Sequence, residues 1–297
     1  MNCSNSKKIT KAVIPAAGLG TRMLPIARTV CKETLPIVDR PAISYLVDEA
    51  VESGATEILI ITNRGKGAIE DYFDYSPEYE TALRAKGKNA LADELRRDAE
   101  RANIYFIRQK EPRGLGHAVL QARSFIGNEP FYVLYGDDVI MSRTPVCAQL
   151  RDAYERYGKA ACGVKEVTEE QILKYSSLDA KPIDGSDRYY NVTDMIEKPK
   201  PEEVITRLSI LGRVLLTPDI FDILSETKPG AGGEIQLTDA MRELARSVGM
   251  TAVDFEGKRY DLGSKLGFLC ANVETALRDP ELGGEFRNYL KELAETL

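Results

Sequence analysis

The sequence has no paired cysteines: Cys3, Cys31, Cys147, Cys162 and Cys270 are scattered, their total is odd and no CxxC occurs. That pattern excludes a disulfide framework and a cysteine zinc site. It also has no apolar run long enough to cross a bilayer. In the opening stretch, MNCSNSKKITKAVIP, the apolar segment is too short for a signal peptide and leads directly into a glycine-rich turn. A soluble, cytoplasmic protein with no membrane partner is expected. Positive charge is not in excess, since the formal net charge is −6. A nucleic-acid backbone, which needs a basic surface, is therefore not the expected partner. Small phosphorylated ligands stay compatible, because a few placed arginines and lysines, helped by a divalent metal, can neutralise them.

What is present is ordinary for a globular chain, with 43% hydrophobic and 29% charged residues. The 297 residues allow one large domain with insertions or two smaller ones. Lys11 to Pro15 (KAVIP) reads as a buried strand, and Pro41 to Gly54 places Ile43, Leu46, Val47, Ala50 and Val51 at helical spacing. Glu57 to Thr62, Ile104 to Arg108 and Phe131 to Tyr135 are further strands, separated by helical or polar stretches. This alternation predicts an α/β fold: a Rossmann-like, three-layer, mainly parallel sheet with helices on both faces. Pro77 to Ala102 is charged and reads as an excursion of exposed helices. From about Ala160 the strands shorten (Ala160 to Val167, Tyr189 to Glu197, Leu208 to Leu216), which has α+β character. Helical pattern returns over Leu237 to Val248, Lys265 to Leu277 and Glu285 to Leu297, and the last helix could pack on a neighbour.

The turn Ala16-Ala17-Gly18-Leu19-Gly20-Thr21-Arg22 follows the first strand. Small residues let its backbone approach a ligand, and successive N–H groups can hold phosphate oxygens. Two familiar phosphate loops are excluded. The dinucleotide fingerprint needs a third glycine where Met23 stands and an acid where Asn63 stands, and no Gly-Lys-Ser/Thr occurs for a P-loop. Arg22 and Lys32 follow the turn instead. A guanidinium fork and a mobile ammonium suit a triphosphate whose pyrophosphate must leave. Taken alone, the turn is equally a plain β-α connection with surface charges.

Strand Phe131 to Tyr135 runs into Gly136-Asp137-Asp138, so two carboxylates emerge where α/β sheets keep ligands. One of them, with Asp261 as a distant partner, could hold Mg²⁺, which needs only one or two carboxylates beside phosphate oxygens and water. Each aspartate by itself is as well explained as a turn former or helix cap. The only histidine, His117, sits in GLGHA at a helix start. A phosphate nucleophile is already ionised and needs no general base, so His117 reads as structural or peripheral.

Together, AAGLGTR, the KE-LPI-D-P stretch at Lys32 to Pro41, Gln109 with GLGHA, GDD, Glu197-Lys198-Pro199 and PGAGGEIQLTDA at Pro229 to Ala240 resemble the bacterial UTP–glucose-1-phosphate uridylyltransferases, within the sugar nucleotidylyltransferase family. The resemblance spans nearly the whole chain. It implies a single nucleotidyltransferase domain over 1–297: a nucleotide-binding part at about 8–158, a small α+β sugar-binding part at about 159–264, and C-terminal helices at 265–297. It further implies Mg²⁺ as cofactor, UTP and glucose 1-phosphate as substrates, UDP-glucose and pyrophosphate as products, and a homo-oligomer, dimer or tetramer. Position by position, Ala16, Ala17, Gly18, Gly20 and Thr21 should line the nucleotide, while Gln109 and Gly114 read the uracil edge. Arg22 and Lys32 neutralise the triphosphate, and Asp137 and Asp261 bind the metal. Glu197 takes sugar hydroxyls, Lys198 pairs with the sugar phosphate, and Ser176, Gly233 and Glu234 lie near the sugar.

This chain departs from the family pattern in places. Arg28 and Cys31 stand where members carry lysine and proline, Ser176 replaces the glycine of a Tyr-Gly pair, and Arg207 replaces an asparagine before Leu208. The last two bear on which hexose is bound, not on the reaction type. Two rivals remain. A glycosyltransferase shares the fold and an acidic pair but has no pyrophosphate to neutralise, so Arg22 and Lys32 would have no task there. A catalytically dead binding protein would bind UTP or UDP-glucose without turnover.

Overall fold

Runs rich in isoleucine, valine and leucine form the centre of the protein, as their patterning demands. In the computed structural model, which describes residues 8–297, Lys11–Pro15 (β1), Glu57–Thr62 (β2), Asn103–Arg108 (β3) and Phe131–Leu134 (β4) lie parallel in the order β3-β2-β1-β4. Val13 stands opposite Leu59 on one side and Val133 on the other. β1, β2 and β4 are covered on both faces, which explains why they read as continuous apolar runs, whereas β3 lies at the sheet edge and is partly exposed. Cys3 and the first residues of the stretch weighed as a leader lie outside the described residues.

Beyond β4 the sheet continues without a break and turns mixed. Ala160–Glu166 (β5), Ser176–Pro182 (β6), Tyr189–Glu197 (β7), Leu208–Leu216 (β8) and Met250–Asp254 (β9) extend it in the order β4-β8-β5-β9-β7-β6. The strands of the second half, expected to be shorter, reach nine residues in Tyr189–Glu197 and Leu208–Leu216 and join the nine-stranded sheet of the first half. Strand β6 was not foreseen, because SSLDAKP has no apolar alternation. It is made by pairing with β7 across a turn in which Asp184 and Gly185 take left-handed backbone, φ 51° and 71°.

Successive side chains of β1 feed two cores. Ile14 packs with Leu46, Leu150 and Phe255 beneath the helices Ala42–Glu52 and Val146–Tyr157. Val13 packs with Val119, Phe221 and Leu244 beneath Leu115–Leu120, Asp219–Glu226 and Leu237–Ser247. This period-two division makes the three layers. Arg213 of β8 is fully buried and pairs with Glu49 at 2.8 Å, and Glu49 also accepts the Cys147 N–H at 3.1 Å, tying two helices to the sheet. The charged excursion forms helices Pro77–Ala85 and Asn89–Ala99, which leave Leu91 and Leu95 exposed. The chain ends in helices Lys265–Ala276 and Gly283–Ala294. Among the described residues no helix is long and apolar enough to cross a membrane.

Candidate active site

The glycine turn is fixed from behind. Ala16 N–H donates to Ile61 O at 2.8 Å, one residue past the strand. Asn63 Nδ2 donates to Ala17 O, and Lys66 Nζ donates to Ala16 O at 2.5 Å. Lys66 is itself held by both oxygens of Glu33, at 2.9 and 2.7 Å. Glu33 is 1% exposed, and burial raises its pKa despite the lysine's charge. With the Ala16 and Ala17 carbonyls tied back, Ala17, Gly18, Leu19 and Gly20 keep backbone N–H groups that make no hydrogen bond among the described residues. Such a row of free donors is what an anion needs. The sequence reading missed Asn63, Lys66 and Glu33 as its supports; the proximity of Glu33 to Lys32 was the one available signal.

The carboxylates come together through a feature that the sequence hid. Asp138–Met141 pairs antiparallel with Lys258–Asp261, placing Asp138 opposite Asp261, and Leu262 N–H donates to Asp137 O at 2.9 Å. Asp137 Oδ2 holds Lys32 Nζ at 2.7 Å and Arg22 Nη2 at 3.4 Å, while Arg22 Nη1 reaches Asp261 Oδ2 at 3.5 Å. Burial would raise the Asp137 pKa, but Lys32, then Arg22 and Arg259, outweigh it and hold the carboxyl below the usual range. Burial would likewise lower the Lys32 pKa, and Asp137 and Glu33 reverse this, so the ammonium stays charged.

Asp138 has a different role. It is 4% exposed and accepts from Arg259 Nε at 2.8 Å and Nη2 at 2.6 Å. Burial, helped by the like charges of Asp137 and Asp261, pushes its pKa up to about 6 against the pull of Arg259. It therefore anchors the ribbon through Arg259. Arg259 in turn lies 4.7 Å over the Tyr175 ring, whose hydroxyl donates to Asp261 Oδ2 at 3.0 Å. Arg259 was not singled out from sequence, although it stands two residues from Asp261, and Tyr175 entered only as the tyrosine of the Tyr-Gly pair that the resemblance sets near the sugar.

Gln109 and Gly114 meet where expected. Gln109 Nε2 donates to Gly114 O at 3.2 Å and contacts His117 Nδ1 at 2.9 Å. Gly114 has φ 106°, and a Cβ there would stand 2.7 Å from both Glu234 Cβ and Ile235 O. Only glycine fits, which explains how the loop before His117 packs on the GAGGEIQLTD segment. The pairing of Gly116 N–H with Ile235 O and of Ile235 N–H with Arg113 O, at 2.9 and 2.8 Å, fixes that contact and brings Glu234 beside Gly114. Gly233 lies in the same turn at φ 74°.

Glu197, at the end of β7, accepts from Thr238 Oγ1 at 2.7 Å, and burial raises its pKa against that hydrogen bond and Lys198. Lys198 has left-handed backbone, φ 47°, and its N–H donates to Tyr175 O at 2.7 Å. Its ammonium makes no hydrogen bond or ion pair among the described residues. A strained non-glycine residue with a free cation is a functional signature worth testing.

Two residues that depart from the family pattern have their side-chain partners outside this cluster. The Ser176 hydroxyl, expected beside the sugar, points inward: the residue is 3% exposed, and its Oγ accepts the Ile210 N–H at 3.2 Å and lies 3.5 Å from Ser209 Oγ. Its neighbour Tyr175 is the residue that reaches the carboxylates. Arg207 is exposed and paired with Glu166, so its guanidinium already has a partner outside this cluster.

Among the described residues no group of three or more His, Cys, Asp and Glu side chains gathers to hold a metal. Asp137 Oδ2 and Asp261 Oδ2 do converge on one guanidinium, and an ionised, oxygen-only pair fits magnesium when phosphates supply the remaining oxygens. An apolar groove of about 500 Å³ between the C-terminal helices, beside Leu282, Phe286 and Tyr289, is lined by none of these residues.

Comparison with known proteins shows the family and the fold. The nucleotidyl transferase family profile matches residues 11–277. The chain is 49% identical over 287 residues to a UTP–glucose-1-phosphate uridylyltransferase of Bacillus subtilis, covering 97% of this chain and 98% of that protein. It is similar to a crystal structure of UDP-glucose pyrophosphorylase complexed with UDP-glucose, with a TM-score of 0.82 and 42% identity, covering 91% of this chain and 100% of the other. A UTP-bound UGPase from Acinetobacter baumannii gives a TM-score of 0.88 at 36% identity, covering 96% and 99%.

Proposed function

The chain belongs to the nucleotidyl transferase family, and from that premise we propose that it transfers the uridylyl group of UTP to glucose 1-phosphate, forming UDP-glucose and pyrophosphate. The observation that carries this reading is the Asp137 carboxylate gathering Lys32 and Arg22 beside a turn of free N–H groups. A nucleoside triphosphate that must release pyrophosphate needs this combination, and a glycosyltransferase does not. Near-full-length relatedness to uridylyltransferases supports the same choice.

In this reading the backbone of Ala16, Ala17, Gly18, Gly20 and Thr21 lines the nucleotide, and Gln109 and Gly114 face the uracil. Lys198 pairs with the phosphate of glucose 1-phosphate and aims one ionised oxygen at the α-phosphorus of UTP. A new P–O bond forms there in line as the bond to the β-phosphate bridging oxygen breaks, and pyrophosphate carries away the electron pair. No proton has to be removed. Arg22 and Lys32 stabilise the charge that develops on the α-phosphate and the leaving group, donors of this kind being worth about 3 kcal/mol each in a dry site. Mg²⁺ held by Asp137 and Asp261 would supply further charge neutralisation between phosphate oxygens. Glu197, Gly233 and Glu234 face the sugar, with Ser176 contributing backbone only.

The chain is read as one domain, with a nucleotide part at about 8–158, a sugar part at about 159–264 and C-terminal helices from 265. Those helices expose Leu266, Leu269, Leu282 and Tyr289, which supports a homo-oligomer formed through them. Dependence on free UTP supports a cytoplasmic location. The reverse reaction is a sharp test: with UDP-glucose and pyrophosphate the protein should form UTP and glucose 1-phosphate. Tight binding of UDP-glucose without any conversion would establish the binding-protein alternative instead.

A further inference from the structure

Gln109 carries an amide that could face a base with either its oxygen or its nitrogen, and that choice decides which pyrimidine fits. Uracil offers an N3–H donor flanked by carbonyl acceptors; cytosine offers an N3 acceptor beside an amino donor. The Gln109 side chain, on a residue only 5% exposed, has its Nε2 at 3.2 Å from Gly114 O and 2.9 Å from His117 Nδ1. Gly114 O can only accept. If His117 Nδ1 is an unprotonated acceptor too, both amide hydrogens are claimed, and the oxygen is left as the one atom that can meet the base. A protonated Nδ1 would instead attract the oxygen and turn the NH₂ outward. The Gly114 N–H, which makes no hydrogen bond among the described residues, supplies the adjacent donor. Acceptor and donor side by side match the N3–H and carbonyl edge of uracil and clash with that of cytosine.

We infer that His117 is a positioning residue for base selection: its neutral Nδ1 locks the Gln109 amide so that Oε1 faces the uracil N3–H. The inference rests on the reading of Gln109 as the base-reading residue. The environment supports the neutral ring, since burial and then Arg113 lower the imidazolium pKa against the weaker pull of Glu111. Gln121 Nε2 packs on the far side of the ring, 3.4 Å from His117 Nε2, and donates to the His117 carbonyl at 3.4 Å.

The test uses the full-length protein and compares kcat/KM for UTP with that for CTP. His117→Asn places an acceptor oxygen where Nδ1 stands, whereas His117→Leu offers none. We expect H117L to lower the UTP/CTP ratio roughly tenfold or more, through KM with kcat for UTP little changed. H117N should keep most of the ratio. Gln109→Leu should lower it at least as far. A ratio that survives in Q109L overturns the base-reading premise and this inference with it. A ratio that falls in Q109L but survives in H117L overturns the positioning role alone, as does an H117N variant with native Tm and the H117L phenotype. Because the chain has one histidine, ¹⁵N-histidine NMR of the wild type reads this ring directly at pH 7, even if H117L fails to fold. The Nε2–H tautomer with bare Nδ1 is expected, and a proton on Nδ1 overturns the inference.

Discussion

Replacing Lys66 by methionine keeps the side-chain volume and removes the one cation bonded to Glu33 among the described residues. The carboxyl, 1% exposed and now without its two ammonium contacts at 2.9 and 2.7 Å, has two ways out. It can stay charged and unpaired, which costs about 3–5 kcal/mol in a protein interior. Alternatively it can take up a proton, which at pH 7 costs about 3.7 kcal/mol, being about 1.36 kcal/mol for each of the roughly 2.7 units above an ordinary glutamate pKa. The cheaper route sets the loss, and the orphaned Ala16 carbonyl adds about 1 kcal/mol. Urea denaturation at pH 7 should therefore show K66M destabilised by about 4 kcal/mol. The sign of the pH dependence follows from linkage. The folded-state pKa of Glu33 in K66M lies above its unfolded value, so the penalty is absent below the unfolded pKa and grows as pH rises. Lowering the pH from 7 to 5.5 should recover about 2 kcal/mol. The double variant Glu33→Met/Lys66→Met should regain most of the stability and lose the pH dependence. A K66M loss under about 1 kcal/mol, or one independent of pH, would refute the idea that a buried ion pair holds the glycine turn.

Other expectations follow from the same geometry. Gly114→Ala forces a Cβ to 2.7 Å from Ile235 O at φ 106°, so the UTP KM should rise about tenfold or more with a smaller change in kcat, measured by steady-state kinetics. Gly212→Ala places a Cβ 2.6 Å from Asp138 Oδ2 at φ 75°; Tm should fall, at a cost of about 1–3 kcal/mol, as the ribbon carrying Asp261 is displaced. Arg207→Asn removes only an exposed pair with Glu166, so stability should change by less than about 1 kcal/mol and the glucose 1-phosphate KM should stay within about twofold. A large KM change there would place Arg207 at the sugar after all.

The parallel half of the sheet was readable from sequence because strands covered on both faces are written as plain apolar runs, as in EILIIT. Its continuation was not. Ser176–Pro182 has no such run and exists as a strand because Tyr189–Glu197 pairs with it, a long-range effect that local patterning does not carry. The same holds at the site. Asp137 and Asp261 were legible as carboxylates at strand ends, but the ribbon that brings them together consists of short, mixed segments. Beyond the proximity of Glu33 to Lys32, Lys66 and Glu33 carry no local signal of their role, which comes from burial and from the Ala16 carbonyl. Ser176 and Arg207 were judged from their departure from a pattern, which reveals a position but not where its side chain points. The sheet interior leaves the Ser176 hydroxyl facing Ile210, and Glu166 captures Arg207.

The most direct test of the account is pyrophosphate release from UTP plus glucose 1-phosphate with Mg²⁺, followed in the wild type and in Lys32→Ala and Asp137→Ala. The account predicts pyrophosphate in a one-to-one ratio with UDP-glucose, and a loss of about a hundredfold or more in kcat for each variant with folding retained. Absence of pyrophosphate across UTP and several sugar 1-phosphates, in a protein that still binds UTP, would contradict it. So would undiminished turnover in K32A.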